Sequence, residues 1–226
     1  SVFALMVDRA GLRPDPAFTS GVDTISTKAC IDALARLAGA IGLTLISPLL
    51  AATALAIRLD SPGPVFYTQT RVGQDGKPFT MWKFRSMYID SDARRASVVK
   101  AGGDAGNEVM FKDRQDPRIT RVGRWIRRLS IDELPQLINV VRGDMSLVGP
   151  RPALPVEVAK YDAEALRRLL VKPGLTGLWQ ISGRSDLSWA STVALDRHYV
   201  ENRGGALDAK IFAGTLRAVI GGKGAY

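Results

Sequence analysis

Two adjacent carboxylates, Asp132 and Glu133 in the stretch SIDELPQ, stand in the most arginine-rich part of the chain. From Arg114 to Arg151 the arginines are 114, 118, 121, 124, 127, 128, 142 and 151, against the acids Asp116, Asp132, Glu133 and Asp144. An ionised carboxylate is a nucleophile at neutral pH, and a phosphorus centre is a target that suits it. Phosphoryl oxygens carry negative charge and repel an incoming carboxylate, so the chemistry requires nearby cations and usually a divalent metal. The arginine surplus meets the first need. Glu133 can meet the second by holding Mg²⁺, which binds through few carboxylates together with substrate phosphates. A helix N-terminus beside Arg127 and Arg128 predicts that the ionised form of Asp132 is favoured.

Two blander readings compete for the same residues. Ser130 followed three positions later by Glu133 is the pattern of a capping box, under which Asp132 only complements the helix dipole. A general acid and base of the glycosidase type also needs two carboxyls, but adjacent helical residues diverge by about 100° and rarely flank one bond. Pro135 cannot donate to the Ile131 carbonyl, which predicts an irregular first turn and leaves groups there free to face a site.

Composition narrows the partners. The chain has 226 residues, 46% hydrophobic, enough for one globular domain. A formal charge of +9 predicts attraction to polyanions: nucleic acid, an anionic membrane surface or phosphorylated substrates. Cys30 is the single cysteine and His198 the single histidine, which excludes an intrachain disulfide and a thiolate-rich metal site and disfavours Ser-His-Asp or histidine-zinc chemistry.

The elements that must position the dyad can be read in order. Residues 1–27, with GLRPDPAFTSG, read as a linker or interfacial segment. Within 28–59, Leu37 to Ile57 is a run of 21 uncharged residues, long enough to enter a bilayer. Ser47-Pro48 interrupts that run, and basic residues flank it on both sides (Lys28, Arg36, Arg58). Proline bends a helix, and positive residues prefer the cytoplasmic face, so we expect a re-entrant helix-break-helix with both ends on one side. The alternative is a buried helical hairpin in a water-soluble fold. Residues 60–226 would form the catalytic domain. In it VFYTQTRV and PFTMWKF flank Asp75-Gly76 and predict a β-hairpin leading into KFRSM. Residues 90–110 start helical and become Gly-rich, a candidate mobile segment. Pro117 to Leu129 has Ile119, Val122, Trp125, Ile126 and Leu129 spaced for one apolar helix face, and Val156 to Leu170 reads as a second amphipathic helix with Tyr161, Leu166 and Leu169 inward. A final helical region is expected around Leu195 to Ile220. The fold class is α+β, mainly helical.

Taken together, KACIDALARL before the interrupted apolar run, LDSPGPVFYTQTRVG, KFRSM, DPRITRVGRWIRRLSIDELPQLINVVRGDMSLVGPRP and KPGLTGLWQISGRSD resemble the bacterial sugar transferase family of monotopic polyprenol-phosphate phosphoglycosyl transferases. The resemblance runs collinearly from about Lys28 to the C-terminus. It implies an enzyme at the cytoplasmic face of a bacterial inner membrane that moves a sugar-1-phosphate from a UDP-sugar, glucose or galactose favoured, to undecaprenyl phosphate and releases UMP. The product would start exopolysaccharide, capsule or O-antigen assembly. By the same resemblance Asp132 forms a covalent phosphosugar intermediate and Glu133 is associated with Mg²⁺. Lys83, Arg127 and Arg151 contact phosphates or nucleotide, and Ser47-Pro48 breaks the membrane helix. Amphipathic helices would rest on the membrane lipids. The linker suits the catalytic portion of a larger member, and a homodimer is compatible with this reading. A basic nucleic-acid-binding module is the alternative from another class; the phosphoglycosyl transferase reading involves no nucleic acid.

Overall fold

The computed structural model describes residues 25–91, 116–183 and 187–221. Most of the linker read over 1–27, and all but the start of the segment read over 90–110, lie outside them. The first element, α1 (Ile25–Asp60), includes Pro48 and continues through it as one helix. Two helices separated at Ser47-Pro48 were expected; the local hydrogen bonding explains the continuity. Pro48 has no N–H to offer the Thr44 carbonyl, and the Ser47 hydroxyl donates to that carbonyl instead, at 2.8 Å. The Thr44 hydroxyl in turn donates to the Ala40 carbonyl at 2.9 Å.

One stripe of α1 packs on the rest of the protein along most of its length. Leu43 and Ile46 meet Met81, Leu137, Val140 and Met145; Leu50, Ala54 and Ile57 meet Phe84 and Ile126. The opposite stripe is bare, with Leu45 and Leu59 75% and 78% exposed. Only 11% of the most apolar window of α1 is buried. The hairpin of a water-soluble core would show the reverse.

Strands β1 (Phe66–Val72) and β2 (Pro78–Phe84) pair antiparallel, with Tyr67 opposite Lys83 and Val72 opposite Pro78. The connection places Asp75 at φ 57° and Gly76 at φ 69°, the left-handed geometry that Asp-Gly tolerates and that the sequence predicts. KFRSM then ties back to α1, because the Arg85 guanidinium donates to the Ser61 carbonyl at 2.8 Å and to that of Pro62.

Helix α2 (Arg121–Arg128) starts at Thr120, whose hydroxyl accepts the Gly123 N–H at 2.9 Å. Its expected apolar face divides. Ile119 and Ile126 are buried, whereas Trp125 and Leu129 are 65% and 44% exposed, with the Arg128 guanidinium 6.0 Å from the Trp125 ring. A 3₁₀ turn (Ile131–Gln136) and α3 (Leu137–Arg142) follow.

Strands β3 (Ser146–Val148) and β4 (Gly174–Thr176) were not anticipated; they pair in parallel and join GDMSLVGPRP to KPGLTG. The chains approach so closely that a Cβ on Gly174 would stand 2.1 Å from the Gly149 nitrogen. The helix read over 156–170 is instead three short pieces, α4 (Pro155–Val158), α5 (Ala163–Leu166) and a 3₁₀ turn (Arg167–Leu170). The break comes at Asp162, whose carboxylate accepts the Ala165 N–H at 2.8 Å and starts a new helix. Leu166 and Leu169 do point inward, with Tyr161 packed beside them. The C-terminal region holds α6 (Leu178–Ile181), α7 (Trp189–Asn202) and α8 (Gly205–Gly221). Arg168 and Asp196, both almost fully buried, pair at 2.7 Å and tie α7 to the preceding turn.

Asn139 in α3 is the buried link between α3 and the hairpin. Its side-chain oxygen accepts the Trp82 N–H at 3.1 Å and its amide donates to the Thr80 carbonyl at 2.7 Å. Asn139→Leu strands both backbone groups in a dry site, and we expect a loss of about 3 kcal/mol. That corresponds to a melting temperature lower by roughly 6–12 °C. Scanning calorimetry of the purified protein checks this, and an unchanged melting temperature would exclude the role given to Asn139.

Candidate active site

Lys83 is the penultimate residue of β2, and Glu133 lies in the 3₁₀ turn fifty positions later. Their side chains meet, Lys83 Nζ donating to Glu133 Oε1 at 2.7 Å. The turn that makes this contact is irregular, as Pro135 implies, but its start differs from the capping-box pattern. Ser130 sits in the left-handed region at φ 55° and its side chain caps nothing. The Glu133 carboxylate, which a capping box would return to the Ser130 amide, points across to Lys83. The Glu133 backbone does bond to Ser130, its N–H donating to that carbonyl at 3.3 Å. The blander reading of the dyad is therefore not realised.

Asp132 is half-buried beside this pair. Burial, followed by the Glu133 charge, pushes its carboxyl up to about 6, against the opposing pull of Lys83 and Arg127. The sequence suggested a favoured ionised form. The cations are present, and desolvation outweighs them. Of the two arginines before the dyad, Arg127 acts on Asp132 while Arg128 turns towards Trp125.

Arg151 belongs to a neighbouring cluster. It pairs with Glu157 at 3.3 Å and lines a pocket with Gly73, Pro150, Tyr161 and Arg168. Between the two clusters stands Arg71, 8% exposed, whose Nη1 donates to the Pro152 carbonyl at 3.1 Å and Nη2 to Gln69 Oε1 at 2.7 Å. Burial lowers Arg71 to about 10, helped by the like charge of Arg151, while Glu157 and Glu133 act in the opposite sense. Lys83, Asp132, Glu133 and Arg127 are thus brought together, and Arg151 is joined to them through Arg71. Ser47 and Pro48 lie on α1 as part of its exposed face.

Arg71, Glu157 and Asn139 escaped the sequence reading. Arg71 shares the strand parity of Tyr67, the cross-strand partner of Lys83, so an arginine on the same face of the hairpin as Lys83 was a usable sign. Glu157 stands two residues after Pro155, where a glutamate commonly folds back onto a helix start; its Oε2 accepts the Leu154 N–H at 2.7 Å.

Among the described residues no group of three or more metal-ligating side chains gathers. Two adjacent carboxylates, one of them with its protonation raised by burial and then by the other's charge, fit an ion such as Mg²⁺ that takes few protein ligands and completes its shell from phosphates.

Residues 24–222 match the family model described as Bacterial sugar transferase. The chain is 43% identical over 192 residues to the Exopolysaccharide production protein ExoY of Rhizobium meliloti, covering 84% of this chain and 85% of that one. It is 45% identical over 166 residues to the Undecaprenyl-phosphate galactose phosphotransferase of Salmonella typhimurium, covering 73% of this chain and 35% of that one. Identity is also 45% over 195 residues to the Undecaprenyl-phosphate glucose phosphotransferase of Komagataeibacter xylinus, covering 80% and 34%. Both the short and the long relatives thus contain the stretch that carries the dyad, the hairpin and the Arg151 loop, and the chain belongs to the bacterial sugar transferase family.

Proposed function

We propose that the protein transfers a sugar-1-phosphate from a UDP-sugar to undecaprenyl phosphate at the cytoplasmic face of a bacterial inner membrane, releasing UMP, as the first membrane step in assembling an exopolysaccharide, capsule or O-antigen. The observation that carries this reading is the meeting of Lys83 with the Asp132-Glu133 dyad at 2.7 Å, in the field of Arg127. Relatives named as galactose and glucose phosphotransferases favour those two sugars in the donor.

The Asp132 carboxylate attacks the sugar-bearing phosphorus, an aspartyl phosphosugar bond forms as the bond to the bridging oxygen breaks, and UMP leaves as an anion. An oxygen of undecaprenyl phosphate then attacks the same phosphorus and returns Asp132 as a carboxylate. Lys83 holds Glu133 and adds positive charge beside the dyad, and Arg127 offsets the charge that gathers on the phosphoryl oxygens. Arg151 contacts the donor's phosphates. Mg²⁺ held by Glu133 and the diphosphate would add charge neutralisation at the phosphate oxygens.

Both ends of α1 are bonded to the same folded body: Asp32 accepts Lys172 Nζ at 2.7 Å, and Asp60 accepts the Val122 N–H at 3.0 Å. A helix that crossed the bilayer would carry its ends to opposite sides, so these contacts support a re-entrant placement in which both ends lie on one side. Exposed Trp125 and Leu129, with Arg121, Arg124 and Arg128 on the same short helix, suit an interfacial position on anionic lipid. The nucleic-acid alternative has no observation in its favour, since Arg71, Arg85, Arg118 and Arg168 are buried rather than displayed.

Incubation with Mg²⁺ and radiolabelled UDP-sugars, with and without undecaprenyl phosphate, should release UMP and label the lipid. Asp132→Asn should lower the rate by at least about 10³-fold. Failure of every sugar to yield UMP or labelled lipid, or full activity in Asp132→Asn, would overturn the assignment.

The pH dependence follows from the raised Asp132 carboxyl. The attacking form is the anion, so UMP release in a single turnover should rise with pH through an apparent value near 6 and level off above it. Lys83→Gln removes a cation that favours the anion and should move this limb to higher pH. A profile flat from pH 5 to 8 would contradict the placement of Asp132.

A further inference from the structure

The cluster of Arg71, Arg151 and Glu157 contains more order than a phosphate-binding arginine needs by itself. Glu157 is 4% exposed, and Arg151 Nη1 lies 3.3 Å from its Oε1 and 3.4 Å from its Oε2. The loop that carries Arg151 is fastened to the hairpin beside it, since the Val72 N–H donates to the Ala153 carbonyl at 2.9 Å and Arg71 to the Pro152 carbonyl at 3.1 Å. Arg151 therefore pairs directly with one buried carboxylate, whose charge also reaches Arg71 and offsets the repulsion between the two guanidiniums. Left alone, Arg151 would be pushed from Arg71 into solvent, where a long side chain samples many rotamers.

We propose that Glu157 is the positioning residue for Arg151, holding its guanidinium beside Arg71 in the orientation that receives a phosphate of a nucleoside-diphosphate sugar. This rests on the role given to Arg151 under the proposed function. The competing role for Glu157 is structural, as the acceptor for the Leu154 N–H at the start of α4. Glu157→Gln separates the two, because the amide oxygen can still accept that N–H while the charge that holds Arg151 is gone.

The test is a double-mutant cycle on the whole chain: wild type, Glu157→Gln, Arg151→Ala and the double variant. The readouts are KM and kcat for UDP-glucose and UDP-galactose, and Kd for UMP by calorimetry. Glu157→Gln should raise the donor KM by about tenfold and change kcat by less than about threefold. In the Arg151→Ala background the same change should move KM by less than about twofold, because the residue it acts through is absent. Equal effects in the two backgrounds, or an unchanged KM in a folded Glu157→Gln, would leave Glu157 as a helix cap and overturn the proposal. If Glu157→Gln does not fold, Glu157→Ala runs the same cycle: a rise in donor KM that vanishes in the Arg151→Ala background supports the proposal, and a rise of equal size in both backgrounds, or none, overturns it. A wild type that releases no UMP from any UDP-sugar refutes the proposed function instead, and the Kd for UMP still reports the coupling of Glu157 to Arg151.

Discussion

Lys83 and Glu133 come from elements that have no local reason to meet, and the 2.7 Å contact between them sets demands on everything around it. The hairpin must end with Lys83 facing the 3₁₀ turn, which the register pairing Tyr67 with Lys83 achieves. The turn must lie across β2 at the right height, and Asn139 sets that height by taking over two backbone groups on the free edge of the strand. Helix α2 must deliver the chain to Ser130 from the other side. It is fastened there by the Thr120 N–H, which donates to the Ser86 carbonyl at 3.1 Å. A slip of one residue in β2 would turn Lys83 away, since strand side chains alternate faces.

Electrostatics explain why the contact involves Glu133 rather than Asp132. Two adjacent carboxylates in a partly dry site repel each other, and Asp132 responds with a raised proton affinity. A cation bound to Glu133 tempers that repulsion without occupying the oxygens of Asp132, which stay open for the attack on phosphorus that the proposed function gives them. The positive residues are divided along the same lines. Arg118 closes onto Asp116 at 2.6 Å and Arg168 onto Asp196 at 2.7 Å, both buried pairs that serve the fold. Arg127, Arg71 and Arg151 surround the dyad or its neighbouring pocket. An arginine-rich composition is therefore shared between architecture and site, and net charge could not have told the two apart.

The legible parts of the sequence were those governed by short-range physics. Asp75-Gly76 between two β-prone runs specified the hairpin because only a few residues tolerate left-handed backbone there. The apolar run of α1 and the irregular turn at Pro135 were readable for the same reason. The capping box failed because its pattern is shared: a glutamate three residues after a serine can return to the helix start or leave it, and Lys83, fifty positions earlier, decided the matter. The β3–β4 pair was hidden because each strand is three residues long and its partner is remote. The amphipathic period over 156–170 was real, yet it did not show that Asp162 ends one helix and begins the next. Arg71 and Glu157 were invisible as a pair, since their relation is spatial.

The Ser47-Pro48 step joins backbone chemistry to surroundings. In water a carbonyl deprived of its helical donor finds a solvent molecule, and the adjacent serine is of little consequence. In the proposed membrane placement the bare stripe of α1, with leucines up to 78% exposed, faces hydrocarbon, where no solvent donor is at hand and an unpaired carbonyl costs several kcal/mol. The Ser47 hydroxyl, 2.8 Å from the Thr44 carbonyl, is the donor that the helix carries with it. Proline at 48 supplies the tendency to bend, and serine at 47 removes the penalty that would otherwise attach to bending in lipid. The pair is thus better understood as one device than as a helix breaker with an incidental neighbour. It lets a single helix keep its hydrogen bonds while its packed stripe stays against the body that holds the dyad.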